Sequence, residues 1–213
     1  MSDYRRPAFP TEVYRDEQGN PIEYGNRWGA ESPPMDSYSR VSNLQRFLPL
    51  HAVAGALIAW LQDTFEVSVV EDPEVTTDLL HLPNDVVRAV RVVPASPTAA
   101  PLTFVLTRFP GVFLHAGSLH DFHFPACGCD ACDHDATRLA EDLEWTVRLV
   151  ISGCYFEQFD QGPGRWVEFR LEEPEVGIRS GRSLTKDLPE TRVKLARTAL
   201  PSGGQWAPWE RRS

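Results

Sequence analysis

The order of the predicted elements indicates an α+β protein, in which about three helices pack on one side of an antiparallel sheet of four to five strands. Two observations carry this prediction. A strong helix is followed by four strand-like segments with short connections, and the chain lacks the strand–helix alternation of a parallel sheet. With 213 residues, 42% hydrophobic and 24% charged, the chain is also long and apolar enough to form a core.

The first half of the chain predicts one helix and four strands. Apolar residues at spacings of three and four predict a helix over residues 50–65. Apolar residues predict strands over 66–70 and 87–93. A short Phe-Pro-Gly link between 102–107 and 112–116 predicts a hairpin there.

The second half predicts two helices around one strand. An apolar stripe predicts a long helix over residues 136–159, with Cys154 as a core residue inside it. A Gly-Pro-Gly turn at 162–164 precedes a predicted strand over 166–171. Pro189 in a first turn favours a last helix over 189–200.

Two regions differ in composition. Residues 1–37 are rich in Pro, Gly and Tyr and lack periodicity, so they predict an irregular arm. Aromatic side chains in the arm indicate that it packs on the domain. Residues 38–213 are then a single α+β domain.

The net charge of −9 is uneven, since residues 1–164 carry 23 acidic and 11 basic side chains. An acidic majority argues against nonspecific nucleic-acid binding, which needs cations to displace phosphate counterions. It favours a basic protein partner. No run of 18 apolar residues and no N-terminal apolar region occur, so we expect no membrane segment, no secretory signal and a cytoplasmic location. Oligomeric state is left open.

Three cysteines within six residues form the strongest chemical signal. Cys127, Cys129 and Cys132 have C-x-C-x2-C spacing, which lets three thiolates converge on one ion. Three Cys and one His form an established zinc set. The fourth ligand is predicted to be His120, with His123 and His134 as close alternatives.

Charge favours a metal over redox chemistry at these cysteines. Residues 118–144 hold seven carboxylates and one Arg, and a reactive thiolate needs positive neighbours. Three thiolates damp the Lewis acidity of an ion, so a bound Zn2+ is predicted to be structural. Reduced thiols, a redox-active or adventitious disulfide, and other metals remain as alternatives.

The functional prediction is a non-catalytic binding or regulatory module with a structural zinc loop. The alternative is a small enzyme with a cleft near the Cys/His loop, which would use His120, His123 or Glu157. Arg179 and Arg182, in a predicted loop over 177–183, are candidates for anion binding, although an exposed turn is the commoner meaning of such a segment.

Four segments resemble an uncharacterised family of high-GC Gram-positive bacteria, a domain of unknown function. They are the CGCDACD motif at 127–133, YSRV at 38–41, RFLPLH at 46–51 and WAPW at 206–209. The resemblance covers residues 36–209. It departs at His134, where the family commonly has an acid. It implies a cytoplasmic bacterial protein and carries no activity to transfer.

Overall fold

The structure of the protein, a computed structural model, describes residues 3–160 and 165–213. Its first sheet has five antiparallel strands that lie side by side in chain order. They are β1 (Val67–Glu71), β2 (Val86–Pro94), β3 (Leu102–Thr107), β4 (Val112–Ala116) and β5 (His120–Phe124). The α+β class and the antiparallel sheet are thus confirmed. The hairpin strands β3 and β4 have the predicted bounds.

Helices α1 (Pro49–Thr64) and α2 (Ala136–Ile151) form the main core with one face of this sheet. The apolar stripe predicted for α1 is at most 1% exposed at Leu50, Val53, Leu57 and Leu61. By length and composition alone, the segment Leu44–Thr64 could cross a membrane. The core accounts for its apolar side chains, so this segment is weak evidence for a membrane span.

The second long helix is shorter than predicted, and the boundary at residue 159 was wrong. α2 ends at Ile151, and Tyr155–Phe159 forms strand β6. Gly153 explains the stop, because its φ of +76° is a left-handed conformation that ends helices. A Cβ there would lie 2.8 Å from the backbone nitrogen of Pro208, so the C-terminal segment fills this space. Cys154 was predicted to lie inside this helix, but it is half-buried between α2 and β6.

A second, three-stranded antiparallel sheet follows α2. Strand β6 pairs with β7 (Trp166–Glu173), and β7 pairs with β8 (Gly177–Leu184). The loop predicted over 177–183 is therefore wrong, since the whole segment pairs with β7. Its polar composition fits a strand at the edge of a sheet, where one side stays exposed. The turn predicted at 162–164 lies outside the described residues.

The C-terminal segment packs against both sheets. Helix α3 (Glu190–Ala199) buries Ala196 in a small cluster with β7. Beyond it, Trp206 Nε1 donates to Glu157 Oε2 at 3.0 Å, and Trp209 Nε1 donates to the Ala100 carbonyl at 2.9 Å. Both indoles are buried in the main core.

The N-terminal segment lies along the domain surface. Tyr4 and Phe9 pack against the main core, and the Tyr4 hydroxyl donates to Glu144 Oε1 at 2.6 Å. Within residues 3–34, the β-pairing consists of an isolated bridge between Arg15 and Pro21. The boundary between arm and domain at residue 37 stays a prediction.

Candidate metal centre

The three clustered cysteines converge at the end of the loop between β5 and α2. The Cys129 sulfur lies 3.3 Å from that of Cys127 and 3.5 Å from that of Cys132, and all three lie within 4.8 Å of one another. A disulfide would need about 2.05 Å. Around a tetrahedral Zn2+ with bonds of about 2.3 Å, sulfurs are separated by about 3.8 Å. The three free thiols thus have a spacing suited to sharing one metal ion.

Gly128 allows this convergence. A Cβ at Gly128 would lie 2.3 Å from Phe109 Cζ, so the ring of Phe109 covers the backbone between the first two sulfurs. A short 3₁₀ turn, Asp130–Cys132, then brings the third sulfur back towards them. Asp135 caps α2, accepting a hydrogen bond from the Arg138 amide at 2.8 Å.

Two carboxylates of the loop face the N-terminal segment. Asp130 is fully buried and accepts from the Ser42 amide at 2.8 Å and the Ser42 hydroxyl at 2.7 Å. Arg27 lies 3.6 Å from it and Arg40 3.9 Å. Burial alone would raise the pKa of Asp130, but the Ser42 hydrogen bonds and the arginines lower it. Asp133 accepts from the Arg27 amide at 2.7 Å. The loop is therefore tied to residues 27–42.

The thiols repel one another as anions. Burial, and then the neighbouring thiols, raise the pKa of Cys132 to about 12. A hydrogen bond from Cys127 lowers the pKa of Cys129. Cys129 is thus easier to ionise, and Cys132 harder to ionise, than an isolated thiol. A divalent cation would remove the penalty for ionising the others.

The three candidate histidines lie in different surroundings. His120 lies in β5 with its ring stacked on Phe169 at 3.6 Å, and burial lowers its pKa to about 3. Among the described residues, the potential ligand atoms within 4.8 Å of one another at this site come from the three cysteines, and His120 is not brought into the group. His123 packs on Phe113 at 4.4 Å.

His134 is the histidine held directly against the Cys loop. Its Nδ1 lies 2.8 Å from the carbonyl oxygen of Cys127. A hydrogen bond from one imidazole nitrogen to a backbone carbonyl is a common support for a ligand histidine. His134 thus contacts the backbone of the loop that carries the three sulfurs.

The predicted anion-binding arginines are already paired with carboxylates. Arg179 Nη2 lies 2.7 Å from Asp142 Oδ1, and its guanidinium lies over Trp145 at 5.3 Å. Arg182 lies 3.1 Å from Glu168. Both arginines are therefore engaged on the protein surface, each by a different acidic residue.

The carboxylate of Glu157 is fully buried in β6. Its carboxylate accepts from the amides of Ser118 and Leu119 at 3.0 Å each, in addition to Trp206. Burial raises its pKa, and these backbone hydrogen bonds act against the rise. Gly117 makes room for it, since a Cβ there would lie 2.2 Å from Glu157 Oε2.

A polar network that the sequence did not reveal crosses the sheet on the face opposite the main core. Arg91, Thr103, His115 and Asp121 are successive partners across β2, β3, β4 and β5. Directly opposed residues point to the same face. The signal available in the sequence was a polar residue within each of these strands, and the pairing register shows that these residues face one another.

Two residues from outside the strands complete this network. His115 Nδ1 lies 2.6 Å from Asp121 Oδ1, and His115 Nε2 lies 3.0 Å from Arg192 Nη2. Asp78 accepts from the Thr103 hydroxyl at 2.6 Å and lies 3.7 Å from Arg192 Nη1. The sequence gives no signal for Arg192 or Asp78, because α3 and the 3₁₀ turn Pro73–Asp78 reach the network only through the tertiary fold.

Comparison with protein families places the chain in one of them. A family model described as a family of unknown function, DUF6226, matches residues 10–213. The chain belongs to DUF6226. No curated protein and no solved structure matches it.

The motifs of this DUF6226 chain now have structural roles. The CGCDACD segment supplies three sulfurs, and its aspartates bind the N-terminal segment. Arg46 of the RFLPLH segment lies over the Tyr24 ring at 4.1 Å. The WAPW segment inserts two indoles into the core.

Proposed function

We propose that the protein is a non-catalytic binding or regulatory module whose Cys loop is stabilised by a structural Zn2+. The observation that carries the proposal is the separation of 3.3 and 3.5 Å between successive sulfurs of Cys127, Cys129 and Cys132. Thiolate sulfur is the ligand type that selects zinc over harder cations. Three thiolates also leave the ion a weak Lewis acid, which suits a structural role.

Metal analysis of purified protein tests the zinc site. We expect one zinc per chain, and a large loss of bound zinc in Cys127→Ser and Cys132→Ser. Cys154→Ser is the matched control, because Cys154 is also a free cysteine and lies outside the cluster. Equal zinc content in all three variants, or native protein that carries no metal and three titratable thiols, would reject the site.

Spectra of the Co2+-substituted protein test which residue is the fourth ligand. His134 and His120 are replaced singly by Ala, and the Co2+-substituted proteins are compared by their ligand-field spectra. A nitrogen ligand that is lost changes the spectrum, whereas a distant histidine does not. We expect the change from His134→Ala, because its ring contacts the Cys127 carbonyl, and none from His120→Ala, because its ring stacks on Phe169.

The proposed partner is a basic protein in the cytoplasm. The net charge of −9, with 23 acidic against 11 basic side chains in residues 1–164, supports an electrostatic attraction to a positive surface. Affinity capture at low and high salt, followed by mass spectrometry, tests this. We expect basic proteins that dissociate as salt rises. Captured material that is only small molecules would argue against the partner.

A second candidate, an enzyme at the Cys loop, is favoured by one observation. A groove of about 960 Å3 runs beside the cluster and is lined by Cys132, His134, Asp135 and Trp145. Three protein ligands would leave a fourth metal position for water, as in catalytic zinc sites. Turnover of any compound in a metabolite panel that disappears in Cys132→Ser, but not in Cys154→Ser, would favour the enzyme over the binding module.

A further inference from the structure

The polar network on the second face of the sheet borders a cavity between the strands and α3. The cavity has a volume of about 480 Å3, within the range of small-molecule sites. Asp78, Arg91, His115 and Arg192 meet at one part of its wall. Much of the remaining wall is apolar and includes Pro97, Leu195 and Trp206.

Two arginine donors in this wall have no acceptor. Within the described residues, the Nε atoms of Arg91 and Arg192 are buried and make no hydrogen bond. Arg91 Nε lies 3.2 Å from Asp78 Oδ2 without hydrogen-bond geometry, and that oxygen already accepts from Thr103. Neither Nε atom is open to the cavity, so an incoming anion would bind the outer guanidinium nitrogens; the side chains of Arg91 and Arg192 are 41% and 19% exposed.

Charged side chains of both signs lie at and behind this wall. The Arg192 guanidinium can only donate, so His115 Nε2 accepts from it, and His115 Nδ1 faces Asp121. Arg91 and Arg192 of the wall are matched by two carboxylates, Asp78 in the wall and Asp121 behind His115, in a chain of net charge −9. Glu157 lies behind Gly117, where three donors satisfy it and burial raises its pKa.

We propose that this cavity binds a small organic carboxylate with an apolar body, whose carboxylate is held by Arg91 and Arg192. Binding is favoured over general-base catalysis, because the nitrogen of His115 that faces the cavity is occupied by Arg192. The apolar walls receive the body of the ligand and separate this class from inorganic anions. The proposal does not depend on the zinc site.

Calorimetric titration of the full chain tests the proposal with benzoate and isobutyrate as probes. We expect saturable binding of at least one of them, with benzamide and inorganic phosphate at least tenfold weaker. Arg91→Gln should weaken carboxylate binding by about tenfold or more, since it removes a charge-assisted contact. Arg88→Gln is the matched control on the same strand, because Arg88 pairs with Glu71 at 2.9 Å and does not line the cavity.

A second variant keeps the test independent of folding. Leu195 is 61% exposed and lines the cavity, so Leu195→Glu adds a repelling charge without disturbing the core. Val176→Glu, at a site 71% exposed elsewhere, should bind as the natural chain does. No saturable binding of either carboxylate, affinity unchanged by Arg91→Gln and Leu195→Glu, or phosphate bound as tightly as benzoate would overturn the proposal.

Discussion

The buried carboxylate of Asp130 should contribute more to stability than any exposed acidic residue of the chain. Its side chain is 1% exposed and accepts two hydrogen bonds from Ser42, at 2.8 and 2.7 Å. A hydrogen bond to a charged group contributes about 1.5–3 kcal/mol, and breaking a buried charged pair costs about 3–5 kcal/mol. Asp130→Ala also leaves the Ser42 donors and the Arg27 guanidinium unpaired. We therefore expect a loss of about 3–5 kcal/mol in the free energy of unfolding.

Urea unfolding followed by tryptophan fluorescence measures this loss. Asp130→Asn keeps the shape and one acceptor, so we expect a smaller loss of about 1.5–3 kcal/mol. Asp36→Asn is the control, because Asp36 also pairs with Arg40, at 3.4 Å, but is 66% exposed. Exposed pairs contribute at most about 1 kcal/mol. If Asp130→Ala cost no more than the control, the inferred role of Asp130 in holding the loop would be refuted.

Three further perturbations probe the buried sites. Burial raises the pKa of Glu157, so the folded state binds a proton on this carboxylate more tightly than the unfolded chain does. The free energy of unfolding therefore falls as pH rises from the ordinary glutamate pKa through the folded pKa. Glu157→Gln should remove that part of the slope in urea titrations at a series of pH values, and an unchanged slope would contradict the assignment. Gly117→Ala should lower the free energy of unfolding by about 2 kcal/mol or more, because φ is +64° and the new Cβ would meet Glu157. Gly19→Ala is the control, with φ +87° but open space around it, and should cost only about 1 kcal/mol. Thermal unfolding measures both. Gly128→Ala should lower the free energy of unfolding by about 1–3 kcal/mol, because the new Cβ would meet the Phe109 ring. In a double-mutant cycle, Phe109→Leu should relieve part of this loss. Additive effects would mean that the two residues do not interact.

The sequence predicted best those segments whose pattern of apolar residues and turn residues fits only one kind of secondary structure. The stripe of α1 repeats at three and four over the whole helix, and the hairpin of β3 and β4 has a Gly-containing link. In these segments local preference and tertiary burial agree. The predicted bounds therefore fall within one residue of the observed ones for α1, and coincide with them for β3 and β4.

The overlong helix shows where a local pattern is ambiguous. Tyr155–Phe159 continues the apolar spacing of α2, yet the same residues also alternate as a strand. Gly153 decides between the two, since its left-handed backbone ends the helix and Pro208 packs where a side chain would be. Pro208 is distant in sequence, so the contact that fixes this boundary was not readable from the segment itself.

The candidate site was predictable in its sulfurs and not in its surroundings. Close spacing along the chain brings Cys127, Cys129 and Cys132 together whatever the rest of the fold does. The environment of His120 depends on Phe169, which approaches from the second sheet and buries the imidazole. Similarly, the acidic neighbours that suggested a cation site include Asp130, which the fold turns towards Ser42.

Asp130 and Asp133 change what a metal ion would have to do in the Cys loop. Small zinc domains fold only with their metal, because nothing else orders the ligands. Here the contacts of Asp130 with Ser42 and of Asp133 with Arg27 hold the loop against the N-terminal segment. Asp135 fixes the start of α2 on the other side. The loop is therefore ordered by hydrogen bonds that need no ion. The contribution left for the proposed Zn2+ would be to remove the repulsion between the thiolates that these contacts bring together, so a bound ion would strengthen the site without directing the fold.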